Sequence, residues 1–359
     1  MGNFQTALSE RPGIEQPHSV NPHLARRKRK ELNLEDFVTG IRSGNRMILS
    51  RAITMVESEN PDHFQMAQDI IERCLPHSGN SLRIGITGVP GVGKSTFIET
   101  FGKLLTKQGH KLAVLAIDPS SERSKGSILG DKTRMESLSV DDNAFIRPSP
   151  SGNTLGGVAR KTRETIILCE AAGFDIILVE TVGVGQSETV VKSMVDFFLL
   201  LMLAGAGDEL QGIKRGIMEM ADCLLINKAD GNNKPSALQA QIQYRAVLKL
   251  FPRNESQWTV PVEICSALEG FAIDTVWSLI QDYVKMTKEN GFFEHNRTEQ
   301  FVNIFHNWIN YSLQNGFYND GKIKAEMERL LPMVRNKQIS PYKAATDLIG
   351  LYHYGLSHD

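Results

Sequence analysis

Apolar and polar positions follow two rhythms along this chain. From Leu34 the rhythm is helical: Phe37, Ile41, Ile48, Leu49, Ile53 and Val56, then, after Pro61, Phe64, Ala67, Ile70, Ile71 and Leu75. Spacings of three, four and seven place such residues on one helix face. Pro76 and Ser78-Gly79-Asn80 break the pattern, so a small helical preface is expected over residues 34–75. Six short runs then carry almost unbroken apolar sequence: Arg83–Thr87, Leu112–Ile117, Phe174–Val179, Leu199–Leu203, Cys223–Ile226 and Val262–Cys265. Strands buried on both faces of a mostly parallel sheet read this way, and helical segments lie between them. The alternation predicts an α/β doubly wound fold whose ligands bind beyond the carboxyl ends of the strands, where the polar motifs fall. From about residue 286 the texture is helical and aromatic, with Phe301, Ile304, Phe305, Trp308 and Ile309. Further helices are expected over Lys322–Val334 and Tyr342–Leu351. The division expected is a flexible basic arm over 1–33, a helical extension over 34–80, the sheet-bearing domain over 81–285, and a helical arm over 286–359 that packs or dimerises.

Composition narrows the function classes. The chain has 359 residues, Lys+Arg 40 against Asp+Glu 41, and a net charge of -1, so no global field draws it to nucleic acid or anionic lipid. Neither partner is expected. The longest apolar run, Phe197–Ala206, falls well short of the roughly 18–20 residues of a membrane span. Cys74, Cys169, Cys223 and Cys265 form no CxxC pair, which suits buried reduced thiols and a reducing, cytoplasmic setting. Residues 1–30 hold Pro12, Pro17, Pro22 and the run Arg26-Arg27-Lys28-Arg29-Lys30 without an apolar secretory core, and read as a solvated arm. The opening Met1-Gly2-Asn3-Phe4-Gln5-Thr6 matches only the loose myristoylation pattern.

The chemistry sits at the strand ends. Gly88-Val89-Pro90-Gly91-Val92-Gly93-Lys94-Ser95, followed by Thr96, fits G-x-x-x-x-G-K-[ST] between a predicted strand and a predicted helix. Its glycines turn backbone N–H groups toward phosphate oxygens, Lys94 reaches the β- and γ-phosphates, and Ser95 supplies an oxygen to Mg²⁺. Asn227-Lys228-Ala229-Asp230 follows the fifth strand and fits the N-K-x-D base-reading motif. A carboxylate there accepts from the guanine ring N–H and the exocyclic amine together, a pair that adenine does not offer. Ser266-Ala267-Leu268 fits the loop that supports the base from its other side. Glu180, in Glu180-Thr181-Val182-Gly183, and Asp118, in Asp118-Pro119-Ser120-Ser121, are strand-end acids placed to hold a metal's water shell or orient the attacking water. Asp131 is a third candidate acid. The expected catalytic set is Lys94, Asp118 and Glu180, and the expected metal set is Ser95, Asp118, Asp131 and Glu180. Arg134 and Arg160 are the candidates for an arginine finger. Gly183–Glu188 and Gly205–Gly216 have the glycines of mobile switches.

Together with Gly130-Asp131-Lys132-Thr133-Arg134-Met135 and Arg147-Pro148-Ser149-Pro150-Ser151-Gly152, these motifs resemble the MeaB/ArgK group of P-loop GTPases, the methylmalonyl-CoA mutase-associated GTPases. The resemblance covers about residues 34 to 350. It implies a P-loop NTPase of the SIMIBI class, with a mostly parallel central sheet flanked by helices and helical extensions at both ends. It implies GTP/GDP and Mg²⁺ as ligands and a homodimer. It also implies a partner, methylmalonyl-CoA mutase or a related cobalamin mutase, whose adenosylcobalamin loading is gated at the cost of GTP. Whether an adenosyltransferase joins that complex is left open, and cobalamin itself is not expected on this chain. On the same resemblance Gly183–Glu188 is the second switch and Gly205–Gly216 the one that addresses the mutase. Two other classes compete: a small-molecule or protein kinase, which Asp230 disfavours by selecting guanine, and a scaffold on which GTP only stabilises a dimer, which the three acids disfavour.

Overall fold

A computed structural model describes residues 32–58, 60–117, 135–148, 155–181, 187–205, 215–252 and 254–356. The helical preface resolves into α1 (Leu34–Arg42), α2 (Arg46–Glu57) and α3 (Pro61–Cys74). Each begins where an asparagine side chain satisfies free backbone donors. Asn33 and Asp36 form a reciprocal capping box, Asn45 accepts from the amides of Met47 and Ile48, and Asn60 caps α3 just before Pro61. Their buried faces, including Phe37, Ile41, Leu49, Ile53 and Ile70, pack into the main core.

The central sheet has seven parallel strands: β1 (Leu82–Gly88), β2 (Leu112–Ile117), β3 (Ala144–Arg147), β4 (Ile176–Thr181), β5 (Phe197–Leu203), β6 (Cys223–Asn227) and β7 (Val262–Ile264). Their order is β3-β2-β4-β1-β5-β6-β7. The order reverses direction at β1, which lies between β4 and β5, with Ile84 opposite both Leu178 and Phe197. That crevice is where doubly wound sheets bind ligands.

Alternate residues of each strand feed two cores. Ala113, Leu115, Ile177, Val179, Phe198, Leu200 and Leu224 face one layer, and Leu112, Val114, Ile84, Ile86, Leu178, Leu199 and Leu225 face the other. The first layer is closed by α1–α3 together with α6 (Leu155–Ala171), α7 (Ser187–Lys192), α8 (Arg215–Met220) and α9 (Lys234–Leu248). The second is closed by α4 (Lys94–Lys107), the short α5 (Glu136–Ser139) and α10 (Ile273–Glu289). Burial on both sides is why these strands lack the polar alternation of a half-exposed sheet.

Three strand details differ from the sequence reading. The strand expected from Phe174 begins at Ile176, because Gly173 is left-handed (φ +86°) and the Asp175 carboxylate accepts from the Lys111 amide at 2.7 Å, holding a turn. β5 starts two residues earlier than expected, at Phe197. β3 was not expected at all. It is a four-residue edge strand with only its first two residues buried, too short for a periodicity to show.

The chain closes with α11 (Phe292–Asn319), α12 (Gly321–Arg335) and α13 (Pro341–Leu356). Ile323, Leu330, Ala344 and Leu348 make a small separate cluster. Along α11, Phe301, Phe305, Ile309 and Leu313 recur every fourth residue and are exposed, Phe305 at 61%. No helix among the described residues is long and apolar enough to cross a membrane.

Candidate active site

β1 ends in the phosphate loop, and the loop's conformation explains its glycines. Gly88, Gly91 and Gly93 have φ of +151°, +79° and +96°. A Cβ on Gly88 would stand 2.5 Å from the Leu201 carbonyl oxygen, and one on Gly93 would stand 2.8 Å from Asn227 Nδ2. Both positions therefore need glycine for space as well as for φ. Val92 is buried under the loop. Gly93 then opens α4, whose first residues, Lys94, Ser95 and Thr96, stand at the positive end of the helix.

Lys94 is 8% exposed, and its ammonium donates to the carbonyls of Gly88 at 2.7 Å and Val89 at 3.3 Å. Burial lowers its pKa, while the carboxylates of Glu180 and Glu188 act in the opposite direction. Ser95 Oγ donates to Glu180 Oε1 at 3.4 Å. Glu180 belongs to β4, the strand beside β1, so the sheet register brings the helix-start hydroxyl and the strand-end carboxylate together. The buried hydroxyls of Thr87 and Thr181 pair at 2.7 Å and tie the ends of those two strands.

The base side is built from β6, β7 and the loop after β7. Asn227 is buried, donates Nδ2 to the Val92 carbonyl at 2.9 Å, and accepts at Oδ1 from the Ala267 amide at 3.0 Å. One side chain thus joins the phosphate loop to the Ser266-Ala267-Leu268 loop. Lys228 is left-handed at φ +60°, a conformation uncommon for a non-glycine residue and concentrated at functional sites. Asp230 Oδ2 accepts from Ser266 Oγ at 2.7 Å, and Ser266 Oγ accepts from the Glu269 amide at 3.1 Å. The two halves of the base site therefore position each other. Leu268 points outward at 81% exposure, so its contribution is backbone.

The structure brings together every expected residue that it describes: Gly88 through Thr96, Glu180, Asn227, Lys228, Asp230, Ser266, Ala267 and Leu268. Asp118, Asp131, Arg134, residues 183–186 of the first switch candidate and 206–214 of the second lie outside the described residues. Among the described residues no group of three or more His, Cys, Asp and Glu stands together as a metal cluster. Arg160 is engaged elsewhere, paired with Glu164 at 3.0 Å and stacked 5.3 Å from Trp308 and 5.1 Å from Tyr311. The sequence reading missed Thr100, whose hydroxyl donates to the Ala267 carbonyl at 2.7 Å and fixes the base loop to α4. A threonine two turns into a helix carries no sequence signal. It also gave Glu188 no individual role.

The oxygen set suits Mg²⁺: a serine hydroxyl and a carboxylate at a phosphate loop are the hard donors that cation takes. A buried lysine at a helix N-terminus and a glycine-built backbone cradle suit a polyphosphate, and Asp230 is the carboxylate expected to read guanine.

The family description "Methylmalonyl Co-A mutase-associated GTPase MeaB" matches residues 49–321. The chain belongs to this family. A probable GTPase of Mycobacterium tuberculosis is 47% identical over 319 residues, covering 88% of this chain and 94% of that protein. The GTPase ArgK of Escherichia coli is 43% identical over 311 residues, covering 87% and 94%. A crystal structure described as LAO/AO transport system kinase superposes with a TM-score of 0.70 at 36% identity, covering 90% of this chain and 99% of that one. The fold is that of the P-loop GTPases, and the protein is a GTPase that binds guanine nucleotide.

Proposed function

We propose that this GTPase is a chaperone of an adenosylcobalamin-dependent acyl-CoA mutase, with methylmalonyl-CoA mutase the first choice of client. The family match over residues 49–321 carries the reading. In it, nucleotide state biases switch loops, and the loops gate cofactor loading and protect or reactivate the mutase.

Hydrolysis is in-line attack of water on the γ-phosphorus with departure of GDP, and the protein's part is placement and charge. Lys94 leaves the Gly88 and Val89 carbonyls and takes the developing charge on the β- and γ-phosphate oxygens. The phosphate-loop amides and the α4 N-terminus supply the rest of the cradle. Mg²⁺, when bound, neutralises phosphate charge, and Ser95 and Glu180 would hold it together with Asp118 and Asp131. Asp230, fixed by Ser266, selects guanine.

We read residues 286–359 as a dimerisation arm, and a homodimer as the working unit, because the helix exposes the large apolar side chains of Phe301, Phe305, Ile309 and Leu313. We likewise read residues 34–80 as a helical extension and 81–285 as the GTPase domain. The four buried, unpaired cysteines suit the cytoplasm.

The test is GTP turnover by the purified protein, alone and with apo methylmalonyl-CoA mutase from the same source. Stimulation by the mutase is expected. Turnover that the mutase leaves unchanged overturns the choice of client. Phosphate appearing on an amino acid rather than as free phosphate replaces the reading with a kinase.

A further inference from the structure

Ala267 is where the loop after β7 is tied to the phosphate half of the site. It is 2% exposed, and both of its backbone polar groups are engaged. Its amide donates to Asn227 Oδ1 at 3.0 Å, and its carbonyl accepts from Thr100 Oγ1 at 2.7 Å. Asn227 Nδ2 in turn donates to the Val92 carbonyl at 2.9 Å, and Val92 adjoins Gly93, where α4 opens. Thr100 lies further along that helix. Three hydrogen bonds and the first turns of α4 thus close a ring through Val92, Asn227, Ala267 and Thr100. Asn227 is oriented from both sides in this ring. Cys265 Sγ also donates to Oδ1, at 3.5 Å, which leaves the amide nitrogen for the Val92 carbonyl.

The loop itself is a closed unit. Ser266 and Phe271 exchange backbone hydrogen bonds at 3.2 and 3.1 Å, and Ser266 Oγ accepts from the Glu269 amide at 3.1 Å. A shift of one part therefore carries the rest. Ser266 Oγ also donates to Asp230 at 2.7 Å, so the loop's position decides where that carboxylate is held. Thr100 meets the loop from the α4 side with both of its branches. Its hydroxyl takes the Ala267 carbonyl, and its methyl, Cγ2, lies 4.0 Å from where a Cβ on Gly270 would stand.

We propose that Thr100 is a positioning residue for base selection: its hydroxyl sets the distance between the Ser266–Phe271 loop and the phosphate loop, and through Ser266 it sets the aim of Asp230. The proposal rests on the reading of Asp230 and Ser266–Leu268 as the base site, and deepens it. Its physical basis is the cost of an unmade hydrogen bond. Without the hydroxyl, the carbonyl of a residue that is 2% exposed loses its donor, and leaving a buried acceptor unpaired costs more than the bond itself contributes. The loop relieves that cost by turning the carbonyl toward water. Because the Ser266–Phe271 bridge closes the loop, Ser266 Oγ turns with it and Asp230 loses its alignment. The phosphate half keeps its own supports, since Asn227 still holds Val92 and the glycine conformations of the loop do not involve Thr100. Base reading is therefore expected to weaken while phosphoryl transfer continues.

The experiment uses the full-length protein and its T100V, T100S and D230N variants, with thermal unfolding as the check on folding. GDP and inosine diphosphate, which lacks the exocyclic amine, each displace a fluorescent GDP analogue, and GTP turnover gives KM and kcat separately. T100V keeps the shape and the methyl group but loses the donor. It is expected to bind GDP about tenfold more weakly, the scale of one buried polar group left unpaired, and to lose at least about threefold of the preference for GDP over inosine diphosphate. Its KM for GTP is expected to rise about as much while kcat changes little, a split that a general loss of folded protein would not give. T100S, which keeps the hydroxyl, is expected to bind GDP within about twofold of the unmodified protein. GDP affinity unchanged in T100V, equal weakening toward both diphosphates, or T100S behaving as T100V overturns the proposal. Hydrogen exchange on the unmodified protein checks it without substitution: the Ala267 amide is expected to slow when GDP is added, and unchanged exchange there refutes the ring's part in holding the base. D230N separates the two readings. If D230N keeps the preference for GDP, the base-site reading itself fails; if D230N loses it and T100V does not, only the role of Thr100 fails.

Discussion

Replacing Asp230 with asparagine isolates base recognition from phosphate binding. The substitution is nearly isosteric, and the Ser266 hydroxyl that now donates to Asp230 Oδ2 at 2.7 Å can donate equally to the amide oxygen. That bond fixes which way the new side chain turns. With its oxygen held by Ser266, its NH₂ faces the base, where guanine presents the ring N–H and the exocyclic amine, both donors. Two charge-assisted hydrogen bonds are lost, and the donors of the new NH₂ face the donors of the base. Hydrogen bonds to a charged partner contribute about 1.5–3 kcal/mol each, so the variant should lose at least about 3 kcal/mol of GDP binding, or more than a hundredfold. A base bearing a carbonyl in place of that exocyclic amine offers an acceptor to the NH₂ and should recover much of the loss. The assay is competitive displacement of a fluorescent nucleotide by GDP, ADP and xanthosine diphosphate, with thermal unfolding run alongside. GDP affinity within threefold of the unmodified protein, or no gain for xanthosine diphosphate, refutes the assignment of Asp230 to the base.

Other substitutions test other parts of the molecule. Lys94→Ala should lower single-turnover GTP hydrolysis by at least about a hundredfold, because it removes the positive charge at the β/γ-phosphates, and undiminished turnover would sink its catalytic role. Arg297→Met should leave the Asp196 carboxylate buried and short of its main partner, costing about 3–5 kcal/mol in urea unfolding. A loss below about 1 kcal/mol would mean water replaces the guanidinium. Burial raises the Cys74 thiol to about 11 and the Cys265 thiol to about 12, and Cys169 and Cys223 are buried as well. Native protein at pH 8 should therefore resist a thiol-reactive dye and release all four thiols only on unfolding. A fast-reacting thiol would show a cysteine exposed by motion.

How much of this was legible in the sequence depends on the range over which each feature is determined. The phosphate loop was legible because its chemistry is local: Gly88, Gly91 and Gly93 are demanded by φ and by close neighbours within one turn of chain. Six of the seven strands were legible as near-continuous apolar runs, which in β1, β2, β4, β5 and β6 reflects burial on both faces, whereas β7 has only three residues, one of them buried. The edge strand Ala144–Arg147 was not, since four residues with two of them half-buried show no period. The roles of Asn227, Asp230 and Ser266 could be assigned by motif, but their mutual support could not. Asn227 meets Val92, 135 residues away in sequence, and Asp230 meets Ser266, 36 residues away. Thr100 and Gln300 are the limiting case. Each is an ordinary polar residue in an amphipathic helix, and each acquires its role only because folding places a carbonyl, of Ala267 or of Val195, within reach of its side chain. Sequence motifs therefore mark the groups expected to touch nucleotide, whereas the groups that hold those side chains in place are fixed by the tertiary structure. The contacts that hold the Ser193–Asp196 turn, from Arg163, Arg297 and Gln300, have no motif for the same reason: the paired residues lie 30, 101 and 105 positions apart in sequence.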